Sequence, residues 1–110
     1  MIFIVLVSIT SMTNIIIKYS ILKGDKYYNL SLKGNITSEE QLFYTNKAIK
    51  NLKRASELYI VKNSKRHVKI AQLYSIKNNK KMAIKHAKIA NKINPSNTAP
   101  IDLLNFINSK

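Results

Sequence analysis

Alanines stand at 83, 87 and 90, and a proline closes the stretch at 95. Residues three and four apart share one face of an α-helix. A face that carries only methyl groups lets a second helix axis come close. Proline cannot continue a helix, so the chain must turn after it. The stretch therefore predicts tightly packed antiparallel helices joined by short turns. No run in the chain alternates with period two, so no sheet is expected and the fold class is all-α.

The remaining helix boundaries follow from local chemistry. Thr37 and Glu40 form a capping box, with Glu39 beside them at the positive helix end. The helix they start is expected over about 38–60, with Leu42, Thr45, Ala48, Ile49, Leu52, Ala55 and Tyr59 inward. Asn63-Ser64 supplies a stop and a new N-cap. A second helix is expected over about 65–77, burying Val68, Ile70, Ala71, Leu73 and Tyr74. After the turn "KNNKK" a third runs over about 80–93, with Ala83, Ala87 and Ala90 beside Met82, Ile89 and Ile93. A short last helix over 99–108 presents Ile101, Leu104, Phe106 and Ile107.

Residues 1–17 carry no charge, and Lys18 is the single charge before residue 23. At 1.5 Å per residue, 22 helical residues span roughly 33 Å, against about 30 Å of bilayer hydrocarbon. Residues 1–22 are therefore expected to be a single-pass membrane anchor. A cleaved signal peptide and a buried helix of a soluble fold are the alternatives, although no basic segment precedes the run. Residues 23–36 then read as a linker, because Gly24-Asp25 and Gly34-Asn35 are turn signals. Tyr27 and Tyr28 suit either a membrane interface or packing on the next helix. Residues 37–110 form the helical domain.

The spacing in that domain resembles the tetratricopeptide repeat. His67, Ile70, Ala71 and Tyr74, then Ala83 and Ala87, then Pro95, follow the pattern W-x2-L-G-x2-Y, A-x3-F, P. Tyr74, Ala83 and Pro95 also match in identity, while His67, Ala71 and Ala87 replace Trp, Gly and Phe. Residues 64–97 thus resemble one repeat of about 34 residues. Ala48, Leu52 and Ala55 echo Ala83, Ala87 and Ala90, so 27–60 resembles a degenerate first repeat and 99–108 a capping helix. The resemblance implies a scaffold that binds a protein or peptide in a groove lined by the first helix of each pair. It places Lys65, Val68, Gln72 and Ser75 on that surface. The family's carboxylate clamp is not reproduced at Val68 and Gln72. A hairpin that only packs on its own membrane protein is the plain alternative. Two repeats and a cap give a small core, which leaves room for self-association or support from a partner.

The net charge of +14 comes from 17 Lys and two Arg among 110 residues. Lys, Ile and Asn are all abundant and all have AT-rich codons, so base composition is a sufficient source for much of the charge without selection for a polyanion. Arg, the better fork for phosphates and bases, is scarce, which argues against nucleic acid as a partner. Lys81, Lys85, Lys88 and Lys92 share one helical stripe, either a solvated face or a contact for anionic lipid or nucleic acid. No cysteine is present, and His67 and His86 are the only histidines. The residues point to no catalytic, cofactor-binding or metal-binding set, so no enzymatic activity is expected. Asn29-Leu30-Ser31 and Asn35-Ile36-Thr37 match the glycosylation acceptor pattern, as an Asn-rich chain does by chance.

An apolar span, a tyrosine-rich link and tetratricopeptide-like helices also resemble the C-terminal end of O-antigen ligase or polymerase-type membrane proteins. That arrangement implies a non-catalytic segment outside the cytoplasmic membrane. Lys18, Lys23 and Lys26 flank the C-terminal side of the span, and the positive-inside rule implies the cytoplasmic side instead.

Overall fold

The computed structural model describes residues 2–58 and 62–109, with side chains from residue 11 onward. Five helices follow one another: α1 (Ile2–Ser31), α2 (Ser38–Leu58), α3 (Ser64–Ile76), α4 (Lys80–Ile93) and α5 (Ala99–Asn108). No strand occurs among the described residues, so the chain is all-α. α1 packs on α2, α2 on α3, and α3 on α4, while α5 rests on α4 and α3. Only residues 32–37 separate α1 from α2, and 77–79 separate α3 from α4. Packed helices joined by such short links must run antiparallel. The molecule is two helical hairpins and a closing helix.

The starts of α2, α3 and α4 lie where their caps put them. The Thr37 Oγ1 accepts from Glu40 N at 3.1 Å, and Glu40 Oε1 accepts from Thr37 N at 3.2 Å. Replacing Thr37 by Ala is expected to cost about 1 kcal/mol in urea unfolding, because one backbone donor of the first helical turn loses its side-chain partner. Asn63 caps α3 by accepting from Arg66 N, and Asn79 caps α4 by accepting from Met82 N. Asn78 takes the left-handed conformation at φ 60°, which Asn tolerates better than most residues. Its neighbour Asn79 donates from its N–H to Tyr74 O at 2.9 Å, closing the end of α3.

The alanines do what their spacing implied. Ala83, Ala87 and Ala90 are fully buried, as are Ala48, Ala55 and Ala71. Bare methyl groups on α4 let α3 approach, and the Ser64 hydroxyl reaches across to donate to Ala90 O at 2.8 Å. The core gathers Ala48, Ile49 and Leu52 of α2 with Ile70, Leu73 and Tyr74 of α3. Ala83 of α4 and Ile107 of α5 complete it, and Tyr27 and Tyr28 of α1 pack against its edge.

Three expectations need correction. The chain does not turn at Gly24-Asp25: α1 runs unbroken to Ser31, and the linker shrinks to residues 32–37. A Cβ on Gly24 would lie 2.6 Å from Leu52 Cδ2 and 3.2 Å from Leu52 N. The glycine therefore serves a close helix crossing. Leu42 sits seven residues before buried Ile49 on the same face, yet it is 49% exposed, because the cover over Ile49 stops short of it. On α5, Ile107 and Leu103 face the core, while Ile101 and Phe106 face outward. Tyr59 lies outside the described residues.

Among the described residues no helix is long and apolar enough to cross a membrane. The start of the expected anchor, Met1 and the side chains at 2–10, lies outside the described residues. Its later part is not free of the domain, since Ile17 and Ser20 are buried and Asn14, Ile17, Lys18 and Ile21 border Asn63 and Arg66.

Candidate interaction groove

The first helices of the two hairpins and the closing helix meet in an open groove. Tyr28 of α1 and Leu32 just past its end, Gln72, Ser75 and Ile76 from α3, and Leu103 and Phe106 from α5 line it, around about 390 Å³. A smaller neighbouring cavity of about 230 Å³ shares Ser75 and Phe106 and adds Asn78, Lys80 and Ile107. Leu32 and Phe106 are 53% and 54% exposed, so large apolar surface faces the groove mouth. Ser75 lines both cavities, and its buried Oγ makes no hydrogen bond among the described residues.

The four surface residues expected on α3 divide. Gln72 and Ser75 line the groove. Lys65 is exposed near the start of α3 and lines neither cavity. Val68 is 9% exposed and belongs to the interior, so it is removed from the candidate surface. Two side-chain contacts join α1 to α3: Tyr28 Oη donates to Gln72 Oε1 at 2.5 Å, and Lys69 pairs with Asp25 at 2.9 Å. The Lys69 ammonium also lies 5.2 Å from the Tyr28 ring centre. Burial raises the Tyr28 hydroxyl above its usual pKa, with Lys69 opposing, so it stays a hydrogen-bond donor.

Tyr28, Leu32, Leu103 and Phe106 were not on the expected surface. The tyrosine carried a weak signal, since packing on a neighbouring helix was one of its two readings. Tyr27 follows that reading too, stacking on Tyr44 at 6.1 Å and meeting Phe43 edge-on at 6.4 Å. The other three carry no local signal, because their partners are remote in sequence.

The lysine stripe is built as its spacing implied. Lys81, Lys85, Lys88 and Lys92 are all exposed, on the face of α4 opposite Ala83, Ala87 and Ala90. None of the four lines the groove, whereas Lys80, outside the stripe, lines the smaller cavity.

Behind the groove, three rings stack between α3 and α4. His67 and His86 bring their Nδ1 atoms to 3.0 Å with nearly parallel rings, and Tyr74 stacks on His86 at 5.7 Å. One imidazole donates to the other, which requires that the acceptor be neutral. Burial, helped by neighbouring Arg66 and Lys62, lowers the His67 pKa. Burial, with His67, Lys53 and Lys85 adding repulsion, lowers His86 to about 4. Among the described residues no three His, Cys, Asp or Glu side chains converge as a metal-ligand set.

Comparison with protein-family models, curated proteins and solved structures gives no match to this chain.

Proposed function

We propose that the protein is a membrane-associated, non-catalytic helical scaffold that holds a segment of another protein in the α1–α3–α5 groove. The groove itself carries the reading: exposed Leu32 and Phe106 rim it, and Gln72 and Ser75 line it among apolar neighbours. Such a surface is mainly apolar with a few polar side chains, as peptide sites are. The helix order supports the tetratricopeptide-like reading, because the groove takes one helix from each hairpin. The proposed membrane attachment rests on the uncharged residues 1–17.

A photoreactive side chain at Phe106 tests the groove. It is expected to crosslink a discrete protein in cells, and Ser75→Arg is expected to abolish the product by blocking the shared wall. The same probe at Lys88, on the outer face of α4, is expected to give none. Equal products from both positions would remove the groove as the binding site.

The exposed lysine stripe favours a second reading, contact with anionic lipid, which salt would weaken.

A further inference from the structure

Between Met12 and Leu22 the outer face of α1 carries large exposed apolar side chains. Met12, Ile15, Ile16, Tyr19 and Leu22 are 63%, 66%, 43%, 54% and 71% exposed. Steps of three and four residues put all five on one side of the helix. Ile17, Ser20 and Gly24, on the opposite side, are buried against the domain. Lys18, Lys23 and Lys26 are exposed at the lower end of the stripe. The Lys23 ammonium sits 4.9 Å from the Tyr19 ring centre, so cation and aromatic occupy the same level.

A perpendicular crossing does not suit this helix. The domain already contacts α1 from Asn14 onward, along the cleft with Asn63 and Arg66. Residues 2–13 alone rise only about 18 Å, against about 30 Å of hydrocarbon. A helix with one face held by its domain and the other apolar and flanked by lysines suits the plane of the membrane surface. The net charge of +14 selects an anionic surface and sets two copies of the chain against each other.

We infer that α1 lies along the headgroup layer of an anionic bilayer, with Met12, Ile15, Ile16, Tyr19 and Leu22 in the acyl boundary and Lys18, Lys23 and Lys26 on lipid phosphates. This inference rests on the membrane half of the proposed function, and it replaces a span by a surface contact. It is independent of the groove.

The test uses the full chain and vesicles of phosphatidylcholine, with and without phosphatidylglycerol. Binding is expected to require the anionic lipid and to weaken with salt. The double variant Ile15→Glu with Leu22→Glu removes two exposed apolar side chains and is expected to weaken binding at least about tenfold. Its thermal unfolding should match that of the parent, since both positions are outside the core. Tyr19→Trp is expected to be quenched by lipids brominated near the headgroup more than by those brominated near the chain ends. In cells, an alkaline carbonate wash is expected to release the protein from membranes. Resistance to that wash would overturn the surface contact yet leave a membrane anchor standing. Failure to bind either vesicle would overturn the lipid contact and leave the groove, judged by crosslinking at Phe106, untouched. A dimer in lipid-free solution that the double variant dissolves would show that a second copy covers the stripe, and would overturn it too.

Discussion

Gly24→Leu is expected to destabilise the protein by about 3 kcal/mol, the largest effect of any exchange outside the hydrophobic core. Glycine inside a helix normally costs about 1 kcal/mol relative to alanine, so an ordinary helical glycine would be improved by this change. Here the sign reverses. A Cβ would sit 2.7 Å from Leu52 Cγ and 3.2 Å from Leu52 N, and the backbone atom cannot swing aside. The α1 and α2 axes must separate to admit it. Gly24→Ala should show the same sign at about 1–2 kcal/mol, the propensity gain offsetting part of the clash. Leu52→Ala alone should cost about 2–5 kcal/mol, since Leu52 is 1% exposed in the core. The double variant with Gly24→Ala should cost less than the sum, because the truncated side chain vacates the contested space. Urea midpoints at constant slope measure all four. A neutral or stabilising Gly24→Ala would show that the two helices do not cross at this point.

Acid should loosen the α3–α4 hairpin well before carboxylates titrate. The ordinary histidine value is 6.5, and His86 in the fold is lowered to about 4. His67 shifts in the same direction. The unfolded chain therefore binds protons that the folded chain refuses. Stability from the pair is complete above about pH 6.5 and is lost as pH falls toward 4. One pKa unit corresponds to about 1.4 kcal/mol. His67 is only half-buried, so water screens part of the charge, and the expected loss is about 2 kcal/mol between pH 7 and pH 4.5. The positive charges of Lys53, Lys62, Arg66 and Lys85 work in the same sense, and no acid is among the groups that shift the pair. His86→Phe keeps a ring to stack on Tyr74 and removes the titration, so its stability should vary far less over that range. An undiminished slope in this variant would assign the acid sensitivity to another group.

Helices α2 to α5 were legible because their signals are local. Thr37 with Glu40, Asn63 with Arg66, and Asn79 with Met82 all act over three residues. Such contacts form in whatever helix the residues begin, so their spacing reports them directly. Ala83, Ala87 and Ala90 likewise announced a close helix partner by their size alone. The candidate surface was half legible. Gln72 and Ser75 face the groove, while Val68 is covered. Which residues of α3 border the groove depends on α1, which lies about 44 residues away in the chain, as in the bond from Tyr28 to Gln72.

By itself the sequence determined an all-helical chain of antiparallel hairpins, its caps and its alanine seam, since these depend on helical period and side-chain size. The tertiary structure decided what Gly24 is for, which face of α1 stays uncovered and where the groove opens. A glycine signals a turn as readily as a crossing, and an apolar helix reads the same whether lipid or protein will cover it. Only the placement of Leu52 against Gly24, and of α3 and α5 beside the end of α1, separates those outcomes. Each is a contact between residues far apart in the chain, and helical spacing carries no record of such contacts.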